Sequence, residues 1–273
     1  MKVPYNYLPM QFSNVEGIIT DWKKLIRTTE FTLGTFVERF EKEFAEFVGC
    51  KHVISTNTGT DALILALKAL GVGPGDEVIS VPITFFATIG AIVAVGARPV
   101  FVDIDNRYQI DIGHISKAIT PRTKAILPVH WGGASPDMPA IMRIAEDAKL
   151  KVVEDACMAP GGDIQGKHPG TFGHANAWSM HPLKPLNVMG DGGMVSTNDD
   201  DLAEWMRMYR NHGMIDRDHN SIWGVNMRLQ PLQSIVASHV LKTVPETVAI
   251  RNRNARILDE GLKELADYVY IAI

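Results

Sequence analysis

Lys184 lies in a mostly apolar run, Trp178-Ser179-Met180-His181-Pro182-Leu183-Lys184-Pro185-Leu186-Asn187-Val188-Met189. Ser179 stands five residues ahead of it, and the glycine-rich turn Gly190-Asp191-Gly192-Gly193 follows. A primary amine attacks a carbonyl in its neutral form, and burial disfavours the ammonium ion. A lysine among apolar neighbours is therefore a candidate Schiff-base lysine. Read alone, this stretch fits a surface lysine in a loop better. The chemistry gains weight only if the rest of the chain supplies the other contacts of a cofactor.

One such contact is a phosphate site. His52-Val53-Ile54-Ser55 reads as a short strand, Thr56-Asn57-Thr58-Gly59-Thr60-Asp61 as a polar turn, and Ala62 to Leu70 as a helix ended by Gly71. A turn between a strand and a helix N-terminus gathers N–H groups and hydroxyls at one place, which suits a phosphate. An ordinary N-cap by Thr60 or Asp61 reads the same residues equally well. Further on, strands at 77–81, 98–103, 125–129, 151–154 and 193–197 alternate with helices at 112–119, 138–148 and 200–210, and another helix runs from the Pro82–Thr88 segment to Val95. The strands are too uniformly apolar for burial on one face. The expected architecture is α/β, a mostly parallel sheet sandwiched by helices. Ligands of such sheets sit at the carboxyl ends of the strands. The Thr58 turn, Thr84-Phe85, His130 and Asp155 all fall at such ends.

Two amphipathic helices precede this unit. One runs from Val15 to Thr28 with Asn14 as its cap. The other runs from Phe36 to Val48, with Phe36, Phe40, Phe44 and Phe47 at helical spacing, a stripe expected to pack in a core. After a loop over Asn211–Asn226 come a helix over 231–243 and a long one over 245–268 with Arg251, Arg253 and Arg256 on solvated faces. The chain closes on Tyr270-Ile271-Ala272-Ile273, which reads as the start of a strand. The expected division is a large cofactor-binding domain over 1–242, followed over 243–273 by a long helix and the start of an incomplete small domain. The charged fraction of 21% is ordinary for a soluble globular protein, and the formal charge of -4 gives no reason to expect nucleic-acid binding. Cys50 and Cys157 show no metal-type spacing and read as buried free thiols. No apolar window is long enough for a membrane span, and the N-terminus lacks an apolar signal core. These features fit a cytoplasmic enzyme.

The ordered motifs resemble the DegT/DnrJ/StrS family of sugar aminotransferases, which are fold-type I and depend on pyridoxal 5'-phosphate. The resemblance rests on Thr58-Gly59-Thr60-Asp61-Ala62-Leu63, Gly75-Asp76-Glu77-Val78, Thr84-Phe85-Phe86-Ala87-Thr88 and Gly96 to Asp103. It continues through Glu154-Asp155-Ala156, Ser179 to Gly193, Arg210-Asn211-His212-Gly213 and Gly224 to Leu229. It implies that Lys184 bonds the cofactor and moves protons, that Asp155 pairs with its pyridine nitrogen, and that Phe85 stacks on its ring while one of Phe85 and Phe86 is core. It also implies that Thr58, Gly59, Thr60 and Ser179 hold the phosphate. Asn226 would reach the same phosphate from a partner subunit, making a homodimer with shared active sites. His130, His181 and His212 read as structural histidines, and Trp131 reads equally as lining the substrate entrance or as core or rim packing.

Three departures from the family pattern stand out. Met158 replaces a glutamine or histidine that touches the cofactor's phenolic oxygen, and a thioether cannot donate a hydrogen bond. Pro185 replaces an asparagine and removes a backbone donor beside the amine. The chain also stops short of where family members do. The reaction implied is transfer of an amino group from an amino acid, with glutamate expected, to a keto-sugar, often nucleotide-linked. One alternative is a sugar dehydratase, although relatives of that kind carry histidine in place of the lysine. A second is a non-catalytic family member with a binding or regulatory role.

Overall fold

The computed structural model describes residues 4–265 and 267–269. Its seven strands are β1 (His52–Thr56), β2 (Glu77–Ser80), β3 (Arg98–Phe101), β4 (Thr123–Ile126), β5 (Lys151–Asp155), β6 (Ala175–Ser179) and β7 (Gly193–Thr197). They form one sheet in the order β1-β7-β6-β5-β4-β2-β3. All neighbouring pairs among β3, β2, β4, β5 and β6 are parallel, and β7 is antiparallel to both β6 and β1. The mostly parallel sheet expected from the sequence is therefore present. β6 is an addition, because its short Ala-Asn-Ala-Trp-Ser sequence has little β-branched character to announce a strand.

The helices are α1 (Leu8–Gln11), α2 (Glu16–Thr28), α3 (Thr35–Val48), α4 (Gly59–Ala69), α5 (Phe86–Ala94), α6 (Ile112–Ala118), α7 (Met138–Asp147), α8 (Asp200–Tyr209), α9 (Pro231–Leu241) and α10 (Val244–Leu262). Strand residues alternate between two cores. Ile54, Ala177 and Val195 face a cluster that includes Leu63, Leu67, Ile92, Ile141 and Met206 from the crossover helices. Val53, Trp178 and Met194 face a second cluster with Leu25, Phe40, Phe44, Ile235 and Val240 from α2, α3 and α9. The phenylalanine stripe of α3 packs as expected, with Phe40 and Phe44 fully buried and Phe44 edge-on to Trp178 at 5.2 Å between ring centroids.

Helix ends follow their caps. Asp137, Asp199 and Thr58 each accept an N–H bond from the first turn of the helix they precede. Asn14 Oδ1 accepts from Glu16 N–H at 3.3 Å, so α2 begins one residue later than expected, with Val15 at the cap position. Cys50 and Cys157 are free thiols, partly rather than fully buried. Only Val244 of α10 is buried, and Arg251, Arg253 and Arg256 are exposed. Among the described residues, no helix is long and apolar enough to cross a membrane. The strand expected at Tyr270–Ile273 lies outside the described residues.

Strand directions decide where chemistry can gather. Since β7 runs against both β1 and β6, those two strands are parallel to each other. The carboxyl ends of β1, β2, β4, β5 and β6 and the amino end of β7 therefore share one edge of the sheet. Thr58, Thr84, His130, Asp155, Ser179 and Gly193 all lie at or just beyond these ends.

Candidate active site

The phosphate turn is built by close backbone approach. Gly193 at the start of β7 pairs with Thr56 of β1 and with Ser179 of β6. A Cβ placed on Gly193 would lie 2.1 Å from Thr58 O and 2.7 Å from Thr56 Oγ1. Glycine there lets the turn after β1 close down on the sheet. The same closure brings Gly59 against Ser179, whose Cβ and Oγ would be 2.7 and 3.0 Å from a Cβ on Gly59. Thr58 Oγ1 accepts from Asp61 N–H at 2.9 Å, and Thr58 O accepts from Ala62 N–H at 3.1 Å. The amides of Gly59 and Thr60, at the first two helical positions, are ones that a helix leaves without an acceptor of its own. Thr58 and Ser179 Oγ both act as acceptors, Ser179 toward His181 N–H at 3.3 Å, so each keeps its hydroxyl proton for a ligand. Gly193→Ala is expected to push this turn outward and cost about 1–3 kcal/mol from overpacking. The check is thermal melting together with phosphate-ligand affinity, and an unchanged melt would overturn the argument.

Lys184 lies between β6 and β7, in a loop anchored by buried Leu186, Asn187 and Val188. Its N–H donates to His181 O at 2.8 Å, and its side chain is half-buried. The next position, Pro185, is buried. Asp155 ends β5 and is buried. Its Oδ2 accepts from Thr88 Oγ1 at 2.7 Å and its Oδ1 from Cys157 N–H at 3.2 Å. Lys184 and Asp155 both act on Cys157. Burial pushes that thiol's pKa well up, Asp155's charge and hydrogen bond add to the rise, and the positive charge of Lys184 opposes it. Asp155 ends β5, and Lys184 follows the parallel neighbour β6, so the two stand at the same edge of the sheet.

Phe85 caps α5 and is 68% exposed, and Phe86 is 88% exposed. The expectation that one of the two is core is corrected: α5 buries Thr88, Ala91 and Ile92, and both phenylalanines lie outside that buried face. Thr60 is exposed. Asn226 is also exposed, and its Oδ1 accepts from Arg228 Nε at 2.9 Å. Its neighbour Met227 accepts Asn57 N–H at 3.1 Å, so this segment lies beside the phosphate turn of its own chain. Met158 is 36% exposed. Trp131 is partly buried against the core, and its carbonyl accepts from Gln109 Nε2 at 3.2 Å.

Glu154 was not visible as a key residue in sequence, where it reads only as the residue before Asp155. It is fully buried and accepts from His130 Nε2–H at 2.9 Å and from the N–H groups of Gly170, Phe172 and Gly173 at 2.8, 2.7 and 2.7 Å. Burial pushes its carboxyl pKa up. The hydrogen bond and attraction of His130, with the Gly173 and Gly170 amides, outweigh that and hold it below the usual range. His130 is buried too, with Nδ1 3.0 Å from Ser135 Oγ and its backbone N–H donated to Asp155 O at 3.0 Å. The structural reading of His130 is thus the one its contacts support. His212 takes a left-handed turn conformation, φ 61°, and His181 is exposed.

The sequence profile of the DegT/DnrJ/EryC1/StrS aminotransferase family matches residues 13–273. The chain belongs to that family. This family member is 40% identical over 271 residues to the pleiotropic regulatory protein of Geobacillus stearothermophilus, covering 97% of its own length and 73% of that relative. It is 46% identical over 222 residues to a UDP-N-acetyl-3-dehydro-alpha-D-glucosamine 3-aminotransferase of Acidithiobacillus ferrooxidans, covering 81% of its own length and 60% of that enzyme. A DegT/DnrJ/EryC1/StrS aminotransferase from Brucella abortus superposes with a TM-score of 0.94 at 35% identity, over 100% of this chain and 75% of that one. A family match that spans β1 to β7, together with this superposition, makes the chain a fold-type I transferase.

Proposed function

We propose that this chain is a pyridoxal-phosphate-dependent aminotransferase that carries an amino group from an amino acid, glutamate by expectation, to a nucleotide-linked keto-sugar. The observation that carries the reading is the shared sheet edge, with the loop that bears Lys184, the buried Asp155 carboxylate and the Thr58–Thr60 cradle along it. The residues fit the cofactor. A cradle that any Cβ at Gly59 or Gly193 would obstruct, with two hydroxyls and two helix-terminal amides, suits a phosphate dianion. A charged carboxylate suits a protonated ring nitrogen.

When bound, pyridoxal phosphate supplies an aldehyde that condenses with amines and a ring that accepts an electron pair from the adjacent carbon. Lys184 presents the amine that holds it, and after substrate binds takes and returns the proton at the substrate carbon. Asp155 keeps the ring nitrogen protonated. Thr58, Gly59, Thr60 and Ser179 anchor the phosphate, and Phe85, exposed on the first turn of α5, offers a face for stacking. Asn226, exposed on the 211–228 loop, is assigned to the partner's phosphate, so the working unit is a homodimer with shared sites. Met158 leaves the cofactor's phenolic oxygen without a donor at that position. Two features support the sugar substrate: membership of the family, and a relative named for a UDP-linked keto-sugar. Lys184 stands where a dehydratase would carry histidine, which favours transamination over dehydration.

The test is a spectrum of the purified protein with pyridoxal phosphate, before and after glutamate. The expected result is a visible band that glutamate bleaches with release of 2-oxoglutarate. No visible band, or a band that persists in Lys184→Ala, overturns the reading.

A further inference from the structure

Thr88 is fully buried, and its hydroxyl faces two side chains. Its Oγ1 donates to Asp155 Oδ2 at 2.7 Å and lies 2.6 Å from Thr84 Oγ1. A hydroxyl has a single proton. Because a carboxylate only accepts, Thr88 gives its proton to Asp155, and Thr84 must be the donor in the second bond. The chain of bonds therefore runs one way, from Thr84 to Thr88 to Asp155. A helical threonine commonly turns its hydroxyl back to the carbonyl one turn earlier. Here it bridges instead to a different element, the tip of β5.

The consequence for Asp155 is geometric. Thr88 occupies one carboxylate oxygen and Cys157 N–H the other, so the carboxylate cannot swivel about its last bond without breaking one of them. Thr88 also donates its backbone N–H to Phe85 O at 3.1 Å, so it fixes the turn that carries the Phe85 ring. One residue thus sets the place of the group beneath the ring nitrogen relative to the group offered for stacking.

We propose that Thr88 is a positioning residue of this site, locking the Asp155 carboxylate in one orientation and registering it against the Phe85 turn, with Thr84 as the outer donor. The inference rests on the proposed function, because its readouts need bound cofactor. Thr88→Val keeps the shape and removes the donor, while Thr88→Ser keeps the hydroxyl.

The experiment compares wild type, T88V and T88S by equilibrium dialysis against pyridoxal phosphate, by circular dichroism of the bound cofactor's visible band, and by kcat. Loss of a hydrogen bond to a buried charge should weaken cofactor binding about tenfold or more. The visible dichroism, which reports how the ring is held, should fall in T88V, and T88S should restore both. If T88V does not fold, Thr84→Val, at a partly exposed position, must move the same readouts in the same direction by a smaller factor. T88V or T84V with wild-type affinity and wild-type dichroism overturns the relay alone. Wild type that takes up no pyridoxal phosphate overturns the functional reading and the relay with it.

Discussion

Lys184→Ala is expected to lower amino-group transfer by about 10⁴-fold or more, because one side chain both holds the cofactor and moves the proton. Neither Cys157 nor His181 is set to take over. Burial with the adjacent Asp155 keeps the Cys157 thiol strongly protonated. The imidazole of His181 sits on an exposed turn and accepts Leu183 N–H at Nδ1 at 3.3 Å. The substitution should leave the fold intact, since the turn is held by the Lys184 backbone N–H and by buried Leu186 and Val188. The measurement is single-turnover conversion of glutamate to 2-oxoglutarate, with far-ultraviolet circular dichroism as a fold control. A variant that keeps activity within about tenfold of wild type would remove Lys184 from the mechanism.

The largest expected stability effect belongs to Glu154. Its carboxylate takes four donors in a site with no access to water. Glu154→Ala strands His130 and three amides of the 170–173 turn without acceptors. Breaking a buried pair in this way costs about 3–5 kcal/mol. For a chain of this size the melting temperature should fall by roughly 10 °C. The loss should spread to the site, because the backbone N–H of the same His130 holds the Asp155 carbonyl. Stability should depend on pH in a stated direction. The folded carboxyl titrates below its unfolded value, so the stabilisation is complete above the unfolded pKa and disappears as pH falls through the folded one. Wild type should therefore lose stability on acidification through that window, and Glu154→Ala should lose less of it. A melting shift under about 2 °C would contradict the assignment.

Much of this site was legible in the chain as written. Lys184 in an apolar run, Asp155 at the end of a buried strand, and a Thr-Gly-Thr turn between a strand and a helix each state a local chemistry. The alternation of strands and helices placed several of them at one kind of strand end. The partners were not legible. The Thr88 hydroxyl and the Asp155 carboxylate are 67 residues apart, and the 170–173 amides meet Glu154 across a turn that has no periodic signal. β6 was missed because alanine and asparagine in a short strand carry little propensity, though the strand sits between β5 and β7 and carries Ser179. Phe85 and Phe86 read as one ligand and one core residue, because an aromatic pair in an apolar segment does not say which side of a helix's first turn will be buried.

The order of residues by itself marked the amphipathic helices and every buried strand but β6, because burial periodicity is a local property of side chains, and it marked the groups able to do imine and phosphate chemistry. Only the tertiary structure decided that β7 reverses between β1 and β6. That reversal brings Gly193 and the Thr58 turn to the edge where Asp155, Ser179 and the loop of Lys184 stand. Strand pairing is a contest among distant segments for the same hydrogen bonds and the same core, and its outcome depends on how the whole sheet packs.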